Sequence, residues 1–333
     1  MDKEEKLELI KRNVEEVVTE EELENLLETK KSPTVYCGYE VSGPVHLGTM
    51  TTLIKLRDYQ KAGLEIKLLL ADLHTYLNLK GEREWIKNMA RYWEETFKAF
   101  GLKDVDYVLG SSFQTTSKYV TDVLELSTRV TINRGTRSMR EVSRGGETTG
   151  VSQLIYPLMQ AIDVPHLNAD IAHGGIDQRK VYMLARDYLP DIGYSSPTSI
   201  YNPMLISLQG PETKMSSSEP KTTFPLHAEP EVIEERIMGA YCMESAIEGN
   251  PIMEIVRLAV FPMQGKLDVE RPEKYGGNVT YSTMDDLEKD FSSGELHPAD
   301  LKKSTAKAVV EILKPIREHF KRNPKYLEPL NHL

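Results

Sequence analysis

Short apolar runs alternate with segments of helical periodicity along the first 206 residues, and this alternation limits the possible folds more than any other feature. The predicted strands cover residues 34–39, 66–71, 105–109, 167–172 and 199–206. The predicted helices between them cover residues 47–61, 85–100, 115–145, 151–162 and 178–188. Strands that are apolar throughout belong to parallel sheets covered by helices on both faces. We therefore predict an α/β fold with a doubly wound parallel sheet, which binds ligands beyond the carboxyl ends of its strands.

The alternation stops near Gln209. A polar loop at 209–226 follows, and the rest of the chain is mostly helical, with helices predicted at 229–242, 250–260, 284–292 and 298–320. We expect a first domain at 1–226, with a helical insertion at about 115–150, and a second, mainly helical domain at 227–333. A chain of 333 residues is long enough for two domains.

The charge pattern favours a local basic surface over a general affinity for nucleic acid. The net charge is −10, yet residues 301–326 contain eight basic side chains and only two acidic ones, a local net of +6. A solvated helix face explains such a segment as well as a nucleic-acid contact does. The two cysteines cannot build a disulfide framework or a four-cysteine zinc site. With no apolar run long enough for a membrane span or signal peptide, a cytoplasmic protein is expected.

The tract His46-Leu47-Gly48-Thr49 lies where the first strand passes into its helix. A helix N-terminus offers unpaired N–H groups and partial positive charge, which suit phosphate. Glycines here let the backbone approach a nucleotide closely. His46 could then stabilise charge on a phosphate. The alternative is a histidine that only caps the helix.

A second tract, Lys214-Met215-Ser216-Ser217-Ser218, lies in the polar loop. A lysine there would act as a point charge for the phosphates of ATP, beside three hydroxyl donors. The alternative is an ordinary hydrophilic surface loop.

Together the two tracts resemble the signatures of class I aminoacyl-tRNA synthetases. The chain is similar to the tyrosyl-tRNA synthetases of the archaeal and eukaryotic type over nearly its whole length. Further matching stretches lie at residues 70–74, 156–163, 174–180, 271–277 and 296–302. The resemblance implies a Rossmann-like catalytic domain, a helical anticodon-binding domain and an ATP-dependent tyrosine–tRNA ligase.

The resemblance also assigns residues to ATP and to catalysis. The catalytic group that it implies is His46, Lys214, Thr49 and Ser216. The implied ATP-binding residues are Gly38, Gly43, His46, Gly48, Gly175, Asp177, Lys214, Met215 and Ser217. Asp177 matches the carboxylate that binds the ribose. The family resemblance implies Mg²⁺ as the companion of ATP, and no metal site built from protein side chains.

For tyrosine, the resemblance implies a pocket made by Tyr36, Asp163, Tyr156, Gln160, Gln178, Leu69 and His74. Tyr36 and Asp163 match the pair that binds the substrate phenol in the family. A carboxylate and a phenol suit such a hydroxyl, because it both donates and accepts. Without each other, Tyr36 would be interpreted as a core aromatic and Asp163 as a helix cap. For His74 the alternative is a satisfied core histidine. Tyr156 and Gln160 are four residues apart and share one helix face, with Asp163 on the same side.

The resemblance implies tRNA contacts at Arg137, Arg179, Lys180, His297 and Asp300. Arginine suits bidentate contacts with guanine or phosphate. Asp300 matches the anticodon reader, although a carboxylate in the first turn of a helix is favourable without any ligand. The resemblance also implies a homodimer with the region around 115–145 at its interface, and the partners L-tyrosine, ATP and tRNA(Tyr).

Three positions depart from the family pattern. Thr49 stands where many members have a second histidine, so that His46 is the only imidazole of its motif. Ser112 replaces an acidic residue, and Ala299 replaces a larger apolar one. The alternatives are a tryptophan–tRNA ligase, against which the phenol pair argues, a non-catalytic tRNA-binding paralogue, and a small-molecule adenylyltransferase.

Overall fold

The computed structural model describes residues 1–139, 150–213, 215, 219 and 221–332. Six strands form one sheet in the order β1-β6-β5-β2-β3-β4. They are β1 (Glu16–Val18), β2 (Thr34–Tyr39), β3 (Glu65–Leu70), β4 (Asp106–Leu109), β5 (Ile171–Gly175) and β6 (Thr198–Asn202). The strands β2 to β6 pair in parallel. The predicted α/β fold is therefore confirmed.

Helices cover the sheet and continue into the second half of the chain. They are α1 (Lys3–Lys11), α2 (Glu20–Thr29), α3 (Leu47–Lys61), α4 (Asp72–Leu77), α5 (Arg83–Phe100), α6 (Ser117–Ser127), α7 (Ile132–Met139), α8 (Val151–His166), α9 (Arg179–Tyr188), α10 (Pro230–Met238), α11 (Pro251–Ile255), α12 (Phe261–Gln264), α13 (Met284–Ser293) and α14 (Pro298–Arg322). A π-helical turn at Val256–Val260 joins α11 to α12, and a small antiparallel pair, β7 (Leu267–Val269) and β8 (Val279–Tyr281), precedes α13.

Several predicted elements are wrong in detail. The strand predicted at 199–206 ends at Asn202, and the helix predicted at 229–242 ends at Met238. The strand predicted at 167–172 begins at Ile171, because α8 runs on to His166 and Asn168 then turns the chain with a φ of 50°. The single helix predicted at 115–145 is broken between α6 and α7, and its last residues lie outside the described part. The edge strand β1, which is antiparallel to β6, was not predicted, since three half-buried residues have too little periodicity to indicate a strand.

The core shows how closely the two halves of the chain pack. One buried cluster includes Leu53 of α3, Trp93 of α5 and Ile316 of α14. The predicted boundary near 226 marks a change in the sequence pattern, while the apolar core continues across it. The division into two domains therefore stays a prediction. No helix in the described part of the chain is long and apolar enough to cross a membrane.

Candidate active site

A cleft of about 870 Å³ opens at the carboxyl ends of β2 and β5. It collects most of the residues singled out in the sequence, from motifs that lie far apart along the chain. These are Tyr36, Gly38, Gly43, His46, Gly48, Thr49, Leu69, His74, Tyr156, Gln160, Asp163, Gly175, Asp177, Gln178 and Met215. Lys214, Ser216 and Ser217 lie outside the described residues.

Asp163 forms the closed end of the cleft and is fully buried. Its Oδ1 accepts hydrogen bonds from Gln114 Nε2 at 2.7 Å and from Tyr119 Oη at 2.7 Å. Its Oδ2 has no hydrogen-bond partner among the described residues, and His74 Nε2 lies 3.7 Å away. Burial raises the pKa of this carboxyl to about 7, while its hydrogen-bond donors act in the opposite direction. Tyr36 is near enough to act as one of these donors on the pKa, but it forms no hydrogen bond of normal geometry to Asp163, so Oδ2 keeps room for a further donor.

Gln114 and Tyr119 contact Asp163, although no sequence pattern had indicated either residue. Gln114 is buried, and its Nε2 also lies 3.3 Å from His74 Nδ1. Tyr119 occupies the inner face of α6 and reaches Asp163 across 44 positions of sequence. Neither residue belongs to a local motif, so only the tertiary contact identifies them.

Tyr36 and His74 complete the walls of this closed end. Burial raises the pKa of Tyr36 well above its usual range and lowers that of His74 to about 4. The His74 ring packs edge-on against Tyr156 at 4.6 Å between centroids. His74 therefore serves as a neutral, packed wall.

Three amide and carboxylate side chains follow one another toward the mouth of the cleft. Gln160 Nε2 donates to Gln178 Oε1 at 3.1 Å, and Gln178 Nε2 donates to Asp177 Oδ2 at 2.8 Å. Gln160 Oε1 is buried and has no partner among the described residues. Gly175 must lack a side chain, because a Cβ there would collide with the Asp177 carboxylate. The row links the α8 face to the end of β5.

His46 caps α3 and lines the cleft at the same time. Its Nδ1 accepts from Gly48 N–H at 3.1 Å, and burial lowers its pKa to about 4. The two readings offered for this residue are therefore compatible. A Cβ at Gly48 would lie 2.9 Å from Met215 Sδ and 3.0 Å from His46 Cε1. Only glycine fits there without a shift, and Met215 of the second tract lies beside Gly48 of the first.

The residues predicted to contact tRNA lie on α7, on α9 and at the start of α14. Arg137 is exposed on α7, and its Nε donates to Asn133 O at 3.3 Å. Arg179 binds Glu16 of β1 through two nitrogens, at 2.5 and 2.8 Å, and Lys180 is exposed beside it. The Arg179 guanidinium lowers the pKa of the Glu16 carboxyl.

The cap of α14 is His297, whose Nδ1 accepts from Ala299 N–H at 3.1 Å. Asp300 lies in the first turn of this helix, where its charge complements the helix dipole. The capping hydrogen bond is therefore supplied by His297 and not by Asp300.

Ser112 is one of the positions that depart from the family pattern. Its Oγ donates to Leu109 O at 2.6 Å.

Comparison with known proteins decides the family. The profile of the tRNA synthetases class I (W and Y) matches residues 28–314. The chain belongs to this family. Tyrosine–tRNA ligases of Methanopyrus kandleri and Archaeoglobus fulgidus are 49% and 50% identical to it, each over 96% of this chain and 98% and 99% of the relative.

Solved structures of the family agree with the fold. The tyrosyl-tRNA synthetase of Archaeoglobus fulgidus, in complex with L-tyrosine, superposes with a TM-score of 0.93 at 50% identity, covering 96% of this chain and 99% of that one. The Pyrococcus horikoshii enzyme, also with L-tyrosine, has a TM-score of 0.93 at 33% identity over the full length of both chains. The predicted family is therefore confirmed.

Proposed function

We propose that the chain is a tyrosine–tRNA ligase that forms tyrosyl-adenylate from L-tyrosine and ATP and then transfers tyrosine to tRNA(Tyr). One observation carries the assignment of the amino acid. The open Oδ2 of Asp163 lies at the buried end of the cleft, whose lining also includes His46, Gly48 and Met215 of the two ATP tracts. The relatives named above are tyrosine–tRNA ligases over nearly the whole of this chain.

Tyrosine fits the cleft with its phenol at the closed end. Its hydroxyl would donate to Asp163 Oδ2, next to Tyr36. Gln160, Gln178 and Tyr156, farther out, would hold the α-amino group. Phenylalanine would leave a buried carboxylate oxygen unpaired, which costs about 1–3 kcal/mol or more for a charged group. Tyrosyl enzymes are already known to reject phenylalanine on this basis, so the kind of selectivity is an established one.

In the first reaction a carboxylate oxygen of tyrosine attacks the α-phosphorus of ATP, and the bond to the bridging oxygen of pyrophosphate breaks. ATP enters with Mg²⁺ as its counter-ion. Because His46 Nδ1 accepts from Gly48, we assign the ring proton to Nε2, which can donate to a phosphate oxygen. A neutral imidazole suits this role, since its pKa of about 4 keeps it uncharged at neutral pH.

Three further groups support the same step. The positive end of the α3 dipole faces the phosphates, Lys214 neutralises the leaving pyrophosphate, and Asp177 binds the ribose. Charge stabilisation and positioning supply the rate, because the protein forms no covalent bond in this reaction. In the second reaction the terminal ribose hydroxyl of tRNA attacks the tyrosyl carbonyl carbon, and AMP leaves.

We also propose the wider organisation. A catalytic domain at 1–226 binds the acceptor end of tRNA through Arg137, Arg179 and Lys180, and a domain at 227–333 reads the anticodon through His297 and Asp300. The active form is a homodimer built on α6–α8. It acts in the cytoplasm, where its tRNA partner is found.

Amino-acid-dependent exchange of labelled pyrophosphate into ATP tests the proposal. We expect exchange with tyrosine and at least ~100-fold less with phenylalanine or tryptophan at equal concentration, as expected for a site that leaves buried polar groups unpaired. Charging of tRNA(Tyr) should follow. Exchange with tryptophan but not tyrosine would contradict the assignment, and tRNA binding without any exchange would identify a non-catalytic paralogue.

A further inference from the structure

Two neighbouring residues of α5 hold the loop that leads into His46. Tyr92 Oη accepts a hydrogen bond from Val45 N–H at 3.1 Å. Trp93 Nε1–H donates to Gly43 O at 2.8 Å. Both aromatic side chains are buried. The loop is therefore attached to α5 on either side of Pro44.

Val45 is also tied to the segment that follows the Lys214 loop. Its carbonyl accepts from Leu226 N–H at 2.8 Å, while the N–H of Leu47 donates to Phe224 O at 3.0 Å. These two bonds form a short antiparallel bridge between His46 and Pro225. Both backbone groups of Val45 are thus satisfied by other parts of the chain.

The hydroxyl of Tyr92 makes a second bond, 3.0 Å long, to His227 Nδ1. Since Oη accepts from Val45 N–H, we assign its proton to the bond with His227, whose Nδ1 accepts. Burial lowers the pKa of His227 to about 4, so the ring is neutral and able to accept at physiological pH. A continuous chain of hydrogen bonds runs from Val45 through Tyr92 to His227.

The same pair contacts the long helix α14. The ring of Tyr92 lies 5.5 Å from that of Phe320, and the ring of His227 lies 5.7 Å from it. One turn along α5, the Glu95 carboxylate lies 2.9 Å from His319 Nε2. Tyr92 therefore contacts three parts of the chain: the loop before His46, the segment that follows the Lys214 loop, and the C-terminal helix α14.

We propose that Tyr92 and His227 are positioning residues for adenylate formation: their hydrogen bond fixes Val45 and thereby the place of His46 against the phosphates of ATP. The proposal rests on the proposed role of His46. Neither residue touches the reacting atoms. α14 and the 224–226 segment hold this pair in place. The geometry of the ATP site therefore depends on how the C-terminal half packs against α5.

The test is steady-state pyrophosphate exchange with Tyr92→Phe, which keeps the ring against Phe320 and removes only the hydroxyl. The matched control is Tyr281→Phe, which removes another buried hydroxyl, bound to Asp290 Oδ2 at 2.9 Å in the C-terminal half. We expect kcat/KM for ATP to fall ~10-fold in Tyr92→Phe, the size set by losing roughly one buried hydrogen bond. The KM for tyrosine should not change, and Tyr281→Phe should behave as the wild type, with active sites counted by titration.

Substitution of His227 separates a hydrogen bond from simple packing. In His227→Asn the amide oxygen can accept from Tyr92 in place of Nδ1, so ATP kinetics should recover most of the wild-type value, whereas His227→Leu should resemble Tyr92→Phe. Unchanged ATP kinetics in Tyr92→Phe would overturn the proposal. So would equal losses toward ATP and tyrosine, or equal losses in the Asn and Leu variants.

Failure of the proposed function would look different. If His46 has no part in the reaction, His46→Ala will exchange pyrophosphate at the wild-type rate whatever Tyr92→Phe does. A defect in His46→Ala with none in Tyr92→Phe refutes the positioning role alone.

Discussion

Asp163 is a buried carboxylate with only one of its two oxygens hydrogen-bonded to described residues. Gln114 and Tyr119 occupy one of its oxygens and leave the other open, so the group is oriented but not satisfied. Tyr36 and Asp163 were predicted as a pair from the sequence. The two donors that orient the carboxylate were not, because they lie 49 and 44 positions away and follow no motif.

The charge of Asp163 should control tyrosine use near neutral pH. With a pKa raised to about 7, the carboxyl gains a proton as the pH falls through that value and becomes a poorer acceptor for the phenol. We expect kcat/KM for tyrosine in pyrophosphate exchange to decline as the pH falls below about 7. The neighbouring imidazoles of His46 and His74 do not titrate in this window, since their pKa values are about 4.

The comparison variant is Asp163→Asn, which cannot ionise. Its profile should be flat between roughly pH 6 and 8, as expected when the titrating group is absent, and it should discriminate less well against phenylalanine. A wild-type profile that is flat over the same range would show that Asp163 does not control binding.

Lys214 should act on the ATP reaction alone. Removing a charge that stabilises the leaving pyrophosphate typically costs on the order of 100-fold in rate. We expect Lys214→Ala to slow adenylate formation by that order in single-turnover assays while tyrosine binding stays near the wild-type value. Lys221→Ala, an exposed lysine of the same segment, is the control. A comparable loss of tyrosine affinity would refute the assigned role.

At the scale of elements, several candidate ATP-binding residues lie where a strand ends or a helix begins. The end of β2 leads to the capped start of α3, and the end of β5 leads to Asp177 and α9. Periodicity predicted the junction between β2 and α3 well, since a change from strand to helix pattern is a local signal, but it placed the end of β5 three residues too early. Arg179, which is predicted to contact tRNA, is paired with Glu16 of the unpredicted strand β1 in the structure. Both side chains are partly exposed, so the pair is worth little stability, roughly 0–1 kcal/mol.

The start of α14 separates capping from recognition. Because His297 supplies the cap, Asp300→Ala should leave stability almost unchanged, within about 0.5 kcal/mol for a surface site. If Asp300 reads the anticodon, the variant should raise the KM for tRNA(Tyr) in charging assays without changing pyrophosphate exchange. Asp285→Ala, another first-turn carboxylate in α13, is the matched control. An unchanged KM would leave Asp300 with only its favourable interaction with the helix dipole.

The whole molecule shows a patch of exposed apolar side chains on α6, α7 and α8, which pack together. It consists of Val120, Leu124, Ile132, Val151 and Ile155. Leu124, Ile132 and Val151 are 62%, 73% and 72% exposed. Exposed apolar side chains on helices that pack together favour an interaction site. Val120, Leu124 and Ile132 lie within the region around 115–145 that is predicted to form the dimer interface, and Val151 and Ile155 lie beyond it on α8.

A charge placed in this patch should separate the subunits. We expect the wild type to sediment as a dimer and Leu124→Glu to sediment as a monomer, because burying an unpaired carboxylate in an apolar interface is unfavourable. Met243→Glu changes an exposed apolar residue outside the patch and should leave the dimer intact. A monomeric wild type, or an unchanged dimer in Leu124→Glu, would contradict the prediction.

The amino-acid sequence alone determined the α/β class, the positions of most strands and helices, the two ATP tracts and the family. These follow from local periodicity and from short motifs, which act over a few residues. Only the tertiary structure decided which side chains meet: Gln114 and Tyr119 with Asp163, Glu16 with Arg179, and Tyr92 with Val45 and His227. Crossover connections of a parallel sheet bring together residues that are dozens of positions apart, and no local pattern records such a partner. For the same reason a local motif indicated the tract that begins at His46, whereas α5, which holds the loop before this tract, was predicted only as a helix.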